Sequence, residues 1–74
     1  MSGLPVVSGQ DYCKALHRAG FVLRRQEGSH MILRRDEPFA QVVVPNHRAL
    51  DRGTLRAILR AAGLPPEEFR KLLG

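Results

Sequence analysis

The stretch Arg24-Arg25-Gln26-Glu27-Gly28-Ser29-His30-Met31-Ile32-Leu33 constrains this chain more than any other. Two segments with strand character flank a Gly-Ser pair, the local signature of a tight hairpin. A chain that closes this hairpin must build a sheet around it. The same turn carries one imidazole, His30, into a surrounding of arginines. A titratable ring beside fixed positive charge suits chemistry on a phosphodiester.

The neighbouring segments complete a layer on each side. Leu4 to Val7 reads as a short extended lead containing Pro5. Ser8 is a helix N-cap, with Asp11 in the first turn. Tyr12, Ala15, Leu16 and Ala19 fall at helical spacing, and Gly20 follows as the cap that ends the helix. Phe21 to Gln26 is the first strand, Gly28-Ser29 the turn, and His30 to Arg35 the second strand. Asp36-Glu37-Pro38 turns the chain again, and Ala40 to Val44 is the third strand, stopped by Pro45. Phe21 and Leu23 share a face, as do Met31 and Leu33, and Val42 and Val44. With those faces inward His30 points outward, although Ile32 shares its side and leaves the parity of the second strand open.

Asn46 to Leu50 is a polar loop and Asp51 a cap for the next helix. Leu55, Ile58, Leu59 and Ala62 give its apolar stripe, and Gly63 closes it. Leu64-Pro65-Pro66 precedes a short terminal helix, Glu67 to Leu73, with Phe69, Leu72 and Leu73 turned to the core. Two helices on one face of a three-stranded antiparallel sheet make an α+β domain of two layers.

The 74 residues suffice for one domain with one small core, spanning 1–74. The apolar share, 43%, belongs to a globular chain. Neither a membrane-crossing run nor a signal core is legible, so a cytoplasmic protein is expected. A single cysteine, Cys13, fits a reducing compartment. Ten of the twelve basic residues are arginine, and the formal charge is +5. Arginine grips phosphate through a planar fork, which favours an acidic partner, nucleic acid first.

Two clusters carry that charge: Arg24, Arg25, Arg34 and Arg35 on adjacent strands, and Arg48, Arg52, Arg56 and Arg60 along the loop and second helix. A solvated charged face is the plainer alternative for such a helix. With few free aromatics, base stacking is poorly supported, and readout of shape and phosphate fits better.

RNA brings its own nucleophile, the ribose 2′-hydroxyl, so a single general acid or base is enough to begin cleavage. His30 is the candidate for that proton transfer. Gly28 lets the backbone approach a phosphate, and Ser29 adds a hydroxyl and an N–H. From spacing alone an ordinary strand histidine remains the simpler alternative. His47 is a second imidazole, able to bind RNA or assist His30, or else only a loop residue; His17 reads as a solvated surface group. Scattered histidines and one cysteine give no zinc spacing. The acidic pairs Asp36-Glu37 and Glu67-Glu68 sit where a turn or a helix start calls for carboxylates. No metal and no cofactor are expected.

Taken in order, a set of these positions resembles the HicA toxins of bacterial type II toxin–antitoxin systems, the YcfA-like mRNA interferases. The set comprises Leu4-Pro5, Ser8-Gly9, Leu16, Ala19-Gly20-Phe21, Arg25-Gln26 and Gly28-Ser29-His30. It continues with Val44-Pro45, His47, Gly53-Thr54-Leu55, Ile58-Leu59, Ala62-Gly63-Leu64 and Phe69. The resemblance implies a double-stranded-RNA-binding-domain-like fold, α-β-β-β-α. It implies a metal-independent ribonuclease that cleaves mRNA, with His30 as its catalytic histidine. It also implies a HicB-type antitoxin that covers the active surface, and operator DNA reached only through that antitoxin. Cys13, Arg48 and the Arg52, Arg56 and Arg60 series lie outside the family pattern. A non-catalytic RNA-binding module of the same fold is the rival expectation.

Overall fold

The computed structural model describes residues 6–73, so Leu4 and Pro5 of the expected lead lie outside it. The elements follow in the order α1 (Gly9–Arg18), β1 (Val22–Glu27), β2 (His30–Asp36), β3 (Phe39–Pro45), α2 (Arg52–Ala62) and α3 (Pro66–Leu73). The strands form one antiparallel sheet in the order β1-β2-β3. The α-β-β-β-α order and the α+β class match the sequence reading. No helix among the described residues is long and apolar enough to cross a membrane.

Local chemistry sets the helix ends. The Ser8 hydroxyl accepts the Asp11 N–H at 3.1 Å, and Asp51 accepts the Thr54 N–H at 2.7 Å. Both satisfy donors that the first helical turn leaves open. That hydrogen bond to Thr54 also holds the Asp51 carboxyl below its ordinary pKa. At the other end of α1, Gly20 N–H donates to the His17 carbonyl and Phe21 N–H to the Leu16 carbonyl, with Gly20 at φ +98°. This paired closure needs a residue free of the Cβ penalty. It also explains why Phe21, expected at the start of β1, lies just before it and is held by α1.

The core joins the helices to one face of the sheet. Tyr12, Leu16, Phe21, Leu33, Val44, Leu55, Leu59 and Phe69 are fully buried. The Tyr12 and Phe69 rings meet at 4.6 Å, and the Tyr12 hydroxyl donates to the Leu55 carbonyl at 2.8 Å. One side chain thus ties α1 to both α2 and α3. Arg18 adds a second tie by donating to the Leu72 carbonyl.

The sheet settles one open question of packing and corrects one expectation. Met31, Leu33, Val42 and Val44 are buried beneath the helices, which fixes the parity of β2: Ile32 shares the open face with His30. Leu23 pairs with Leu33 and faces the helix side, yet it is 51% exposed rather than buried beside Phe21. It lies on the edge strand, where the helical layer stops short.

Candidate functional site: the open sheet face and its turn

The Gly28-Ser29 pair joins Glu27 to His30 as a two-residue hairpin. Gly28 has φ +61°, and no residue other than glycine has positive φ among those described. Positive φ at the first turn position only is the type II′ pattern, which matches the twist of the strands it joins. The Gln26 side chain closes the turn by donating to the Gly28 carbonyl at 3.1 Å.

His30 opens β2, is exposed, and lies on the sheet face that the helices leave uncovered. Across the strands three rungs run over this face: Glu27, His30 and Pro45; Arg25, Ile32 and Val43; Val22, Arg34 and Gln41. Side chains on adjacent rungs of one face are neighbours, so His30 heads a row that continues through Ile32 to Arg34.

A β-bulge shapes the basic part of that row. The register shifts between Leu23 and Arg25, which leaves Arg24 as the extra residue. Strict alternation puts consecutive residues on opposite faces. The bulge cancels one step of that alternation, so Arg24 and Arg25 line one depression with Ile32, Arg34 and Gln41. Arg25 pairs with Glu27 at 2.9 Å and Arg34 with Asp36 at 3.0 Å. These exposed pairs orient the guanidinium groups while contributing little stability, which leaves them free to exchange an acid for a phosphate.

The other arginines divide by position. Arg35, read with the strand cluster, is turned toward the helices. It donates to the Pro38 and Ala62 carbonyls at 3.0 Å each, and its guanidinium lies 4.6 Å from the Phe21 ring centre. Its partners are internal, so it is a strut of the fold. Arg56 and Arg60 line a separate depression with Leu59, Leu64 and Pro66 in the helical layer. Arg52 is exposed in the first turn of α2. Arg24, Arg25 and Arg34 on the open sheet face and Arg56 and Arg60 in the helical layer therefore form two separate basic regions.

Arg48 and His47 lie close to the turn. Beyond the His30–Pro45 rung, Asn46 N–H donates to the Ser29 carbonyl at 2.6 Å, and Gly9 N–H donates to the His47 carbonyl at 2.8 Å. The loop after β3 is thereby pinned between the catalytic-candidate turn and the start of α1. Sequence reasoning had missed the parts played by Gln41, Asn46 and Gly9. Gln41 follows once the register pairs it with Arg34, whereas the Gly9 contact has no local signal.

His17 is exposed and within 3.1 Å of the Phe21 carbonyl through Nδ1. Cys13 is half-buried, its Sγ 3.8 Å from the Met31 sulfur, and burial pushes its thiol pKa up. That environment disfavours a nucleophilic thiolate. Among the described residues, no three His, Cys, Asp or Glu side chains are grouped to hold a metal ion.

Comparison with known proteins places this geometry in a family. No curated protein matches the chain. A family model described as the HicA toxin of bacterial toxin–antitoxin systems matches residues 9–64, from the start of α1 to just past α2. That span contains the whole sheet, the Gly28-Ser29-His30 turn and the pinned loop, and the chain belongs to the HicA toxin family.

Proposed function

We propose that this toxin is a metal-independent endoribonuclease that cleaves mRNA, with His30 as the proton-transfer group. The observation that supports it best is the row on the open sheet face: an exposed imidazole beside a bulge that gathers Arg24, Arg25 and Arg34. In this reading the ribose 2′-oxygen attacks phosphorus and its proton passes to a base. The bond from phosphorus to the 5′-oxygen breaks, and the leaving oxygen takes up a proton. The products are a 2′,3′-cyclic phosphate and a 5′-hydroxyl. His30 performs one transfer, and solvent performs the other. The arginines offset charge that grows on the phosphoryl oxygens. Gly28 and Ser29 shape the approach of the phosphate, and Arg48 holds backbone beyond the turn. Arg52, on the helical layer, contacts only RNA that wraps around the sheet edge.

A HicB-type antitoxin neutralises the toxin in this reading by covering the same open face, and operator DNA is reached through that antitoxin alone. Four apolar side chains there, Val22, Ile32, Phe39 and Val43, give a protein partner more to bury than RNA uses.

The test is induction of the wild type and His30→Ala in a bacterial host, with mRNA integrity followed in the same cultures. Growth arrest and mRNA loss in the wild type alone are expected. Equal mRNA loss in both would remove His30 from the chemistry. Arrest without mRNA loss in both would favour a binding module.

A further inference from the structure

Beside the turn lies a polar cleft that the proposed cleavage does not use. Ser8, Gln10, Asn46, His47 and Arg48 line it, and its volume is about 270 Å³. Clefts that take whole drug-sized ligands span ~300–1,000 Å³, so this one suits a smaller group. Asn46 stands one residue beyond the His30–Pro45 rung, about 3.4 Å along the strand, and its N–H is bonded to the Ser29 carbonyl. The cleft therefore adjoins the backbone of the turn that carries His30.

Its lining has the chemistry of base recognition. The Asn46 and Gln10 side chains each offer an amide donor and an amide acceptor, the pairing that reads a base edge. Their backbone ties do not consume those groups: the Asn46 bond to Ser29 uses the main-chain N–H. The first backbone donor of α1, Gly9 N–H, is already spent on the His47 carbonyl, and the Ser8 hydroxyl accepts from Asp11. What remains for a ligand is therefore the set of side chains. Arg48 supplies a cation and a flat guanidinium on which an unpaired base can lie. His47 puts one aromatic ring in the lining, which can stack on any base, so hydrogen bonding to base edges decides which base the cleft accepts.

We infer that this cleft holds the nucleobase next to the cleaved phosphate, and that Asn46 and Gln10 set the sequence preference of the toxin. The inference rests on the ribonuclease reading above. Single-stranded RNA is the ligand class, because pairing occupies the Watson–Crick edge that the two amides would read.

The experiment measures binding of oligo-A, oligo-C, oligo-G and oligo-U by fluorescence anisotropy. The protein carries His30→Ala, so that the probes survive. Binding is repeated with Asn46→Ala and with Gln10→Ala added; both positions are on the surface, and circular dichroism verifies the fold. The His30→Ala protein is expected to separate its best and worst probe by at least about fivefold, the scale of one good base contact. Adding Asn46→Ala or Gln10→Ala is expected to bring the four affinities together, whereas Arg24→Ala weakens all four alike. An unchanged ratio after both substitutions overturns the inference and leaves the ribonuclease reading intact. Equal affinity for the four probes from the outset does the same. Failure to bind any probe overturns both.

Discussion

A Cβ placed on Gly9 would lie 2.1 Å from the Pro45 carbonyl oxygen and 3.0 Å from the Asn46 Cα. Both are backbone atoms, so no side chain can swing aside to make room. The close approach lets Gly9 N–H reach the His47 carbonyl, which seats the loop beside the Ser29-His30 turn. Gly9→Ala is therefore expected to destabilise the fold by about 1–3 kcal/mol, as overpacking does. Gly53 is the contrast: its added Cβ meets only Asp51 Oδ1, at 3.5 Å. Gly53→Ala in the first turn of α2 is expected to stabilise by ~0.5–1 kcal/mol. Urea denaturation of both variants checks the pair, and equal shifts of the same sign would contradict the packing argument.

Arg35 and Arg24 are both strand arginines with opposite expected phenotypes. Arg35 holds two carbonyls and the Phe21 ring, so Arg35→Ala removes internal partners and is expected to cost about 2–3 kcal/mol. It should leave the salt dependence of RNA binding unchanged. Arg24→Ala, Arg25→Ala and Arg34→Ala should cost little stability. Each should lower the slope of log K against log salt by roughly 0.7, the value for one phosphate contact on a single strand. Binding titrations over a salt series separate the two classes. A reduced slope for Arg35→Ala would place it at the RNA surface instead.

The sequence exposed the elements of this fold well because its periodicities and caps are local. Ser8, Gly20, Asp51 and Gly63 each act within a few residues of their position, and the structure finds all four at helix ends. The bulge at Arg24 was hidden because no glycine marks it; the paired Arg24-Arg25 only makes sense as one surface once the register is known. Leu23 was misjudged because alternation gives the face of a residue but not the reach of the helix above it. Arg35 was misread for a related reason. Its parity with Met31 and Leu33 was visible, yet its carbonyl partners come from Pro38 and from Ala62, distant in sequence. At the site, the Gly28-Ser29 turn was local and readable, the outward direction of His30 waited on the parity of β2, and the pinning of Asn46 to Ser29 is tertiary.

Tyr12 makes the stability of the core dependent on alkaline pH. Burial raises its phenol pKa above the ordinary value of 10.0. The folded state thus retains the proton more strongly than the unfolded chain does. The resulting stability is fully present below pH 10.0 and declines as pH rises above it, because the unfolded chain ionises first. Tyr12→Phe should cost about 0.5–1.5 kcal/mol at neutral pH through the lost bond to the Leu55 carbonyl. It should also remove this share of the alkaline decline. Denaturation curves for both proteins on either side of pH 10.0 give the difference, and parallel declines would contradict the assignment.

The turn at Gly28 permits its stability to be separated from its chemistry. Gly28 has φ +61°, and a Cβ there would have no neighbour within 4 Å. Gly28→Ala therefore suffers backbone strain alone, about 1–2 kcal/mol. The double change Gly28→Asn with Ser29→Gly supplies the pair that type I′ hairpins favour, which keeps a two-residue loop and relieves that strain. The hairpin should then recover most of the stability lost in Gly28→Ala. Cleavage should not recover with it, because the Ser29 hydroxyl is gone and the backbone N–H groups of the turn point differently. A loss of about tenfold in rate corresponds to one hydrogen bond to the phosphate, near 1.4 kcal/mol. Thermal denaturation and cleavage of one RNA, measured on the same preparations, give both quantities. Full recovery of cleavage would show that the turn only joins β1 to β2 and that the phosphate is held by the arginine row.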